Sequence, residues 1–181
     1  ARIPVHLDGA RIFNAALHLG VEAPRLAAGV DSVMFCLSKG LCAPVGSLLA
    51  GPALLMEKAW RVRRRLGGAM RQSGILSAAG MYALDHHVER LAEDHRRART
   101  LARGAASIPG LAVVQPETNI VMLDILASGV TAEGLAARLA QEGVLMVPFG
   151  PRRLRAVTHL DVDDQGVEKA VAALDRVMGE G

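Results

Sequence analysis

Apolar runs of strand length alternate with helical patterns along the first part of the chain. The apolar runs cover residues 3–7 and 32–37, while helical patterns cover residues 13–18, closed by Gly20, and residues 21–28. Strands that alternate with helical segments predict a mostly parallel sheet with helices packed on it. In such a sheet, polar groups at the carboxyl ends of the strands line the crevice that binds ligands.

Two polar residues lie at these strand ends. Asp8 follows the first run and Lys39 closes the second. We expect Lys39 to lie half inside the core, as a candidate Schiff-base lysine. Taken alone, Ser38-Lys39-Gly40 is more typical of an ordinary strand end whose lysine reaches solvent, and Asp8-Gly9 is typical of a simple turn.

The pattern changes after Lys39. A turn leads to an apolar run over residues 45–50, and the connection is too short for a helical crossover, so this strand is predicted to be an antiparallel neighbour. Pro52 opens a helix that ends at a glycine pair. Helical periodicity then continues over residues 73–106 as one long stretch.

From Leu111 onwards the pattern is that of a small α+β domain. Strands are predicted over residues 111–114, 119–124, 144–147 and 154–158, and helices over residues 131–141 and 164–178. Thr131 caps the first of these helices, and Asp163 or Asp164 caps the second. Helices of this kind are expected to cover one face of a short sheet.

The change at Leu111 and the chain length favour more than one domain. Residues 1–72 are assigned to the C-terminal part of a large domain. Residues 73–110 are assigned to a long linking helix, and residues 111–181 to a small C-terminal domain.

Composition narrows the class of protein. The chain has 181 residues, of which 51% are hydrophobic and 22% charged, as in a folded globular protein. The net charge of +3 is mild and aromatic residues make up only 3%, so stacking surfaces for single-stranded nucleic acid are scarce. The arginine-rich run at residues 61–65 is interpreted as a solvated helix face. No nucleic-acid partner is therefore predicted.

Cysteine usage and hydropathy predict a cytoplasmic protein. Cys36 and Cys42 lack neighbouring ligands for a zinc site, so no metal is predicted and the thiols are interpreted as reduced. No apolar stretch is long enough to span a bilayer, and the start has no signal-peptide pattern. Because the chain opens directly into a strand-like run without an initiator methionine, we expect it to be the later part of something longer.

An aspartate at one strand end, a lysine at the next and an arginine in the later domain together suggest a pyridoxal-phosphate enzyme. The aspartate keeps the pyridine nitrogen protonated, and the lysine amine forms an imine with the cofactor aldehyde. The arginine fork offers two parallel hydrogen bonds to an amino-acid carboxylate. Each residue alone is weak support, and the combination is the signal.

Several segments extend this signal to a family. Residues 6–11 (HLDGAR) and 38–47 (SKGL followed by APVGS) resemble the low-specificity L-threonine aldolase family. Residues 67–72 and 155–159 match the same pattern in the same order. The resemblance covers essentially the whole chain. It implies the aspartate-aminotransferase-like α/β fold, here the end of a mostly parallel large-domain sheet followed by a small α+β C-terminal domain.

The resemblance implies a role for each matched residue. Lys39 would be the catalytic residue that binds pyridoxal 5′-phosphate covalently, and Asp8 would pair with its pyridine nitrogen. Arg11 would lie near the phenolic oxygen of the cofactor or near the substrate carboxylate. Arg155 would bind the substrate carboxylate from the small domain.

Two further residues are placed near the cofactor phosphate by the resemblance. Arg71 would reach that phosphate near a subunit boundary. Ser38 would either assist the phosphate or only satisfy the turn. Other polar residues are interpreted as structural: His86, His87 and His95 as solvated, His159 as a satisfied structural histidine, and Asn119 as a turn-stabilising side chain.

The implied reaction is cleavage of L-threonine or L-allo-threonine to glycine and acetaldehyde, by a homo-oligomer that is a dimer or tetramer. A racemase or β-eliminating lyase with the same lysine and aspartate remains open. So does a non-catalytic fragment that needs an N-terminal partner, because the family's N-terminal half, with its phosphate-binding loop, is not matched. Cys42 also departs from the family's usual glycine, which would cost about 1 kcal/mol if that turn needs a positive φ.

Overall fold

A computed structural model describes residues 3–179. These residues divide after Leu91 into two compact units, called here the first unit and the second unit. The division falls inside residues 73–110, the segment that the sequence predicts as a linking helix. Each unit has its own sheet.

The first unit is built on a three-stranded sheet in the order β1-β2-β3. Its elements are β1 (His6–Asp8), α1 (Ile12–Leu19), α2 (Ala23–Ala27), β2 (Ser32–Cys36), β3 (Ser47–Ala50), α3 (Ala53–Arg65) and α4 (Gly74–His86). β1 and β2 run parallel, with Asp8 opposite Met34, and β2 and β3 run antiparallel. The predicted alternation and the antiparallel third strand are confirmed, and Gly20 ends α1 at a φ of 64°.

The strand predicted over residues 3–7 starts later than predicted, and its predicted burial is wrong. β1 begins at His6, and the side chain of Val5 is exposed. Among the described residues β1 is an edge strand, so only one of its sides is paired. The backbone of Val5 instead bonds Asp31, to which its N–H donates at Oδ2 over 2.9 Å.

The single helix predicted over residues 73–106 is two helices. α4 ends at His86, and α5 (Leu91–Ala106) begins after a break at residues 87–90. A turn closes this break, since the N–H of Leu91 donates to the carbonyl of Val88 over 3.2 Å. His87 caps the end of α4, and its side chain bonds the loop that carries Lys39, as described below.

The second unit holds an antiparallel sheet in the order β4-β5-β7-β6. After α5, its elements are β4 (Leu111–Val114), β5 (Ile120–Ile125), α6 (Ala132–Gln141), β6 (Val147–Pro148), β7 (Arg153–Val157) and α7 (Asp164–Gly179). Thr131 Oγ1 accepts from the N–H of Gly134 over 3.1 Å. Asp163 Oδ1 accepts from the N–H of Gly166 over 2.7 Å. Both predicted caps are confirmed, the second at Asp163.

The strand predicted over residues 144–147 is shorter than expected. β6 contains only Val147 and Pro148, because the N–H of Val144 donates to the carbonyl of Leu139 at the end of α6. Val144 and Met146 are nevertheless buried, while Leu145 is exposed. The alternating apolar pattern therefore reports burial here and not strand pairing.

The helices of the second unit cover one face of its sheet, as predicted. Alternate residues of β5, namely Val121, Leu123 and Ile125, enter a continuous core. Side chains of α5, α6 and α7 complete that core. Within residues 3–179, no helix is both long and apolar enough to cross a membrane.

Candidate active site

The parallel pairing of β1 and β2 brings their carboxyl ends to the same edge of the sheet. Asp8 is the last residue of β1, and β2 ends at Cys36, three residues before Lys39. Parallel strands in register end side by side. Asp8 and the segment that carries Lys39 therefore occupy the same sheet edge, which is where ligands bind in α/β proteins.

Lys39 opens a tight turn outside β2. The N–H of Cys42 donates to the carbonyl of Lys39 over 2.8 Å, and the N–H of Ala43 donates to the carbonyl of Leu37 over 3.0 Å. The carbonyl of Gly46 accepts from the N–H groups of both Leu37 and Ser38. The base of the loop is thus closed by backbone hydrogen bonds.

The side chain of Lys39 is exposed, so the expectation that it lies half inside the core is wrong. β2 ends at Cys36, earlier than the apolar run suggested, and the backbone bends before the lysine. Ser38 is exposed as well, and its backbone N–H bonds within the loop. Ser38 satisfies the turn through its backbone, and a contact of its hydroxyl with a phosphate stays a prediction.

The residue after Lys39 faces the core. A side chain on Gly40 would place its Cβ 3.0 Å from Leu91 Cδ2 and 3.1 Å from Asn14 Oδ1. Leu41 is only 2% exposed, and its carbonyl lies 2.6 Å from His87 Nδ1. The lysine of this turn is therefore exposed to solvent, while the two residues after it pack against the core.

The strand end at Asp8 is also a turn, so both interpretations of Asp8-Gly9 describe it. Asp8 Oδ1 accepts from the N–H of Ala10 over 3.1 Å. Gly9 lies against β2, where an added Cβ would meet the carbonyl oxygen of Met34 at 2.9 Å and Val33 at 3.0 Å. The carboxylate is exposed and is held at the edge by this backbone packing.

Arg11 and Arg155 share one feature of their guanidinium groups. Each has a buried Nε without a hydrogen-bond partner among the described residues. Arg11 precedes α1 and is partly buried. Arg155 lies in β7 of the second unit, with its guanidinium carbon 5.6 Å from the centre of the Phe149 ring. Buried donors of this kind need an acceptor, so both arginines suit an anionic ligand.

Arg71 lies in the segment between α3 and α4 and is exposed. Its neighbour Gln72 has a φ of 50°, a conformation that a non-glycine residue rarely adopts. The exposed guanidinium is compatible with a phosphate contact, and that role stays a prediction.

Two histidine predictions are wrong. His87 is partly buried and bonds Leu41, and His95 is only 4% exposed. His86 is exposed, as predicted, and its ring lies 4.3 Å from that of Tyr82. His87 follows the buried residues Gly80 and Ala83 at intervals of seven and four, so helical spacing could have indicated that it faces inward.

Asn119 and His159 both have structural contacts, but Asn119 bonds a distant strand end and does not stabilise a turn. Asn119 is 1% exposed, and its Nδ2 donates to the carbonyl of Thr158 over 2.9 Å, which joins the start of β5 to the end of β7. His159 Nδ1 accepts from the N–H of Asp161 over 3.4 Å. Across residues 3–179, no three histidine, cysteine, aspartate or glutamate side chains are grouped as metal ligands.

Comparison with known proteins identifies similar sequences. The profile of the family described as Beta-eliminating lyase matches residues 1–128. The low-specificity L-threonine aldolase 1 of Arabidopsis thaliana is 40% identical over 179 residues, or 97% of this chain. The low specificity L-threonine aldolase of Escherichia coli O157:H7 is 41% identical over 170 residues, or 94% of this chain. The resemblance inferred from residues 6–11 and 38–47 is confirmed.

The chain spans about half the length of the curated relatives it matches, since each alignment covers 50% of the relative. The matched half is the C-terminal one.

Solved structures share the fold. A putative aromatic amino acid beta-eliminating lyase/threonine aldolase from Exiguobacterium sp. 255-15 superposes with a TM-score of 0.78 at 24% identity, over 97% of this chain and 52% of that one. A putative L-allo-threonine aldolase from Listeria monocytogenes gives 0.77 at 20% identity, with the same coverage. These similarities confirm the predicted α/β fold class.

Proposed function

The chain belongs to the beta-eliminating lyase family, and on that premise we propose that it carries the reactive lysine of a pyridoxal-phosphate-dependent threonine aldolase. The reaction is cleavage of L-threonine or L-allo-threonine to glycine and acetaldehyde. One observation carries the proposal. Lys39 projects from a packed turn at the sheet edge that also holds Asp8, in segments that match threonine aldolases.

The residues present fit pyridoxal phosphate. The exposed amine of Lys39 is free to bind an aldehyde, and Asp8 offers a carboxylate at the same edge. Arg11 supplies a buried donor without a partner among residues 3–179, which suits an anionic oxygen of the cofactor or substrate. When bound, the cofactor supplies an aldehyde for an amine and a ring that withdraws electrons from the bond to be broken.

Each residue has a distinct task in this proposal. Lys39 would hold the cofactor through its amine, which is the nucleophile that an aldehyde requires. Asp8 would hold a proton at the pyridine nitrogen, because a carboxylate stabilises a cationic ring. Arg155 binds the substrate carboxylate through its guanidinium fork, which orients the Cα–Cβ bond for cleavage. Arg71 and Ser38 are the proposed phosphate ligands.

Steady-state assays of acetaldehyde release test the proposal. Lys39→Ala should abolish turnover, and Asp8→Asn should reduce it severely while some cofactor still binds. Lys58→Ala is the matched control, because Lys58 is an exposed lysine of α3 with no proposed role. Near-normal turnover in Lys39→Ala would remove the basis of the proposal.

The products distinguish related reactions on the same residues. Threonine, allo-threonine and alanine are supplied separately, and acetaldehyde, glycine and D-alanine are measured. An aldolase releases acetaldehyde and glycine from the first two substrates. D-Alanine would indicate a racemase, and release of ammonia with a keto acid would indicate β-elimination.

A second candidate is a non-catalytic fragment that needs a partner chain. It is favoured by the exposure of β3 and α3, two elements of the described first unit in which no residue is buried. The 181 residues on their own would then bind no pyridoxal phosphate and cleave no threonine. A yellow, active preparation of these residues would exclude this candidate.

We further propose a homo-oligomer, a dimer or tetramer, in the cytoplasm. Large apolar side chains are exposed on the first unit, including Leu49, Leu54, Trp60 and Leu66, and contiguous exposed apolar surface favours association. Both cysteines are free thiols, as a reducing compartment allows. Light scattering of the purified protein measures the assembly, and a monomeric mass would contradict it.

A further inference from the structure

The proposed reaction leaves His87 without a role, although its side chain contacts the loop that carries Lys39. His87 Nδ1 lies 2.6 Å from the carbonyl oxygen of Leu41. A carbonyl can only accept, so Nδ1 carries the hydrogen and donates it. Because Leu41 is only 2% exposed, this hydrogen bond is largely shielded from competing water.

α4 touches the same loop a second time. Gly80 packs against Leu37, since an added Cβ would lie 2.8 Å from Leu37 Cδ1. Gly80 and His87 are seven residues apart, which is about two helical turns and therefore one helix face. Gly80 of α4 and His87, the residue that caps the end of α4, thus contact the loop at Leu37 and at Leu41, on either side of Lys39.

The contact at Leu41 fixes one peptide plane from both sides. The carbonyl of Leu41 and the N–H of Cys42 belong to the same planar peptide group and point in opposite directions. The carbonyl accepts from His87, while the N–H donates to the carbonyl of Lys39 over 2.8 Å. Rotation of this peptide would break both hydrogen bonds.

This peptide needs such support because the next residue is strained. Cys42 has a φ of 57°, and an L-residue with a side chain disfavours this region. Without the bond from His87, the peptide is free to rotate and relieve the strain. The carbonyl of Lys39 would then lose its donor, and the lysine backbone would lose its fixed orientation.

We propose that His87 is a positioning residue, whose Nδ1–H holds the Lys39 turn in the conformation that presents the reactive amine. The proposal rests on the function proposed above. His87 does not touch substrate or cofactor, and it acts through the peptide between Leu41 and Cys42.

Three single substitutions, each made in the protein as it occurs naturally, test the role of His87. His87→Leu removes the donor and puts an apolar side chain in its place. His87→Asn keeps an N–H donor, because asparagine Nδ2 is attached to Cγ just as histidine Nδ1 is. His86→Leu is the control, since His86 is an adjacent, exposed histidine whose ring lies beside that of Tyr82.

Two measurements are made on each variant. Amide hydrogen exchange at Cys42 should be about fivefold faster or more in His87→Leu, as expected for the loss of one shielded hydrogen bond. In turnover of threonine, kcat should fall while KM changes little, because the amine is misplaced and the carboxylate site is intact. Both should return close to normal in His87→Asn and stay normal in His86→Leu.

Unchanged Cys42 exchange in a folded His87→Leu protein would overturn the proposal. So would a His87→Asn protein that stays as impaired as His87→Leu, because a donor at that place would then not be what matters. If His87→Leu does not fold, His87→Asn is compared with the unaltered protein. Faster exchange at Cys42 together with a lower kcat in His87→Asn would then overturn the proposal. Failure of the proposed function is recognised separately, as unaltered protein that neither binds pyridoxal phosphate nor releases acetaldehyde.

Discussion

The two units of the chain bury their apolar side chains very differently. In the second unit α5, α6, α7 and the central strands share one continuous core. In the first unit the buried cluster consists of five residues around the lysine turn and α4, namely Leu37, Leu41, Ala43, Ala83 and Leu91. β3 and α3 contain no buried residue. Lys39 and Asp8 thus lie in the unit with the smaller core.

This difference suggests that the two units serve separate purposes. Burial of apolar area is the main stabilising term in folding, so the second unit holds most of what stabilises the described chain. The first unit uses its small core to support one turn. Substitutions in the core of the second unit should therefore act mainly on stability, and substitutions near Lys39 should act mainly on function.

The largest expected difference is between two leucines that both lie on helices. Leu174→Ala in α7 should lower the free energy of unfolding by about 3 kcal/mol, because it empties a fully buried position. Leu54→Ala in α3 should change it by about 0.5 kcal/mol or less, since Leu54 is 65% exposed. Urea denaturation measures both. Equal effects would mean that α3 is buried in the natural assembly.

A glycine pair tests the sheet edge in the first unit. Gly9→Ala should destabilise it by about 2 kcal/mol, because the new Cβ would lie 2.9 Å from the backbone oxygen of Met34. The substitution should also displace Asp8 and reduce cofactor binding. Gly29→Ala is the matched control, since a Cβ there meets nothing within 4 Å. A harmless Gly9→Ala would show that β1 can move away from β2 at little cost.

Cys42 offers a smaller effect of opposite sign. Cys42→Gly should raise the unfolding free energy by about 1 kcal/mol, because glycine adopts a φ of 57° without strain. Cys42→Ala keeps the strain and loses only the thiol, so it should give no gain. Thermal unfolding of the two variants separates these causes. Stabilisation by alanine as large as by glycine would exclude strain as the reason.

The smallest effect is electrostatic and belongs to the second unit. Hydrogen bonds from Arg96 and Arg97 lower the pKa of Asp164, and one from Arg153 lowers the pKa of Asp124. A lowered aspartate pKa contributes stability above its ordinary value, and this contribution is lost as the pH falls through the folded-state value.

Between about pH 6 and about pH 3, the urea midpoint should therefore fall less in Asp164→Asn than in the unaltered protein. The difference between the two proteins should shrink in high salt, because the ion pairs of Asp164 with Arg96 and Arg97 are exposed to solvent and screened by salt. An identical fall of the urea midpoint in both proteins would show that the ion pairs of Asp164 contribute nothing to acid sensitivity.

Features of the fold and of the candidate site could be predicted from the sequence where they depend on local patterns. Thr131 and Asp163 gave the helix starts, Gly20 gave the end of α1, and residues 38–47 gave the family. The condition attached to Cys42 was also met, since its φ is positive. These features depend on a few neighbouring residues, so the sequence contains them directly.

The errors arose where distant residues decide. Lys39 was expected to be partly buried, because an apolar run does not reveal where its strand stops. His87 was expected in solvent, because its acceptor, Leu41, is 46 residues away. Residues 144–147 were expected to form a strand, although the end of α6 bonds Val144. Burial and pairing at these positions depend on tertiary contacts, which local patterns do not encode.

The central claim is that Lys39 is the amine that binds pyridoxal phosphate. The protein is incubated with the cofactor, the imine is reduced with borohydride, and the modified peptide is identified by mass spectrometry. The chain has only three lysines, Lys39, Lys58 and Lys169, so the assignment is unambiguous. The account predicts a phosphopyridoxyl group on Lys39 alone. Modification of Lys58 or Lys169 instead, or of no lysine at all, would contradict it.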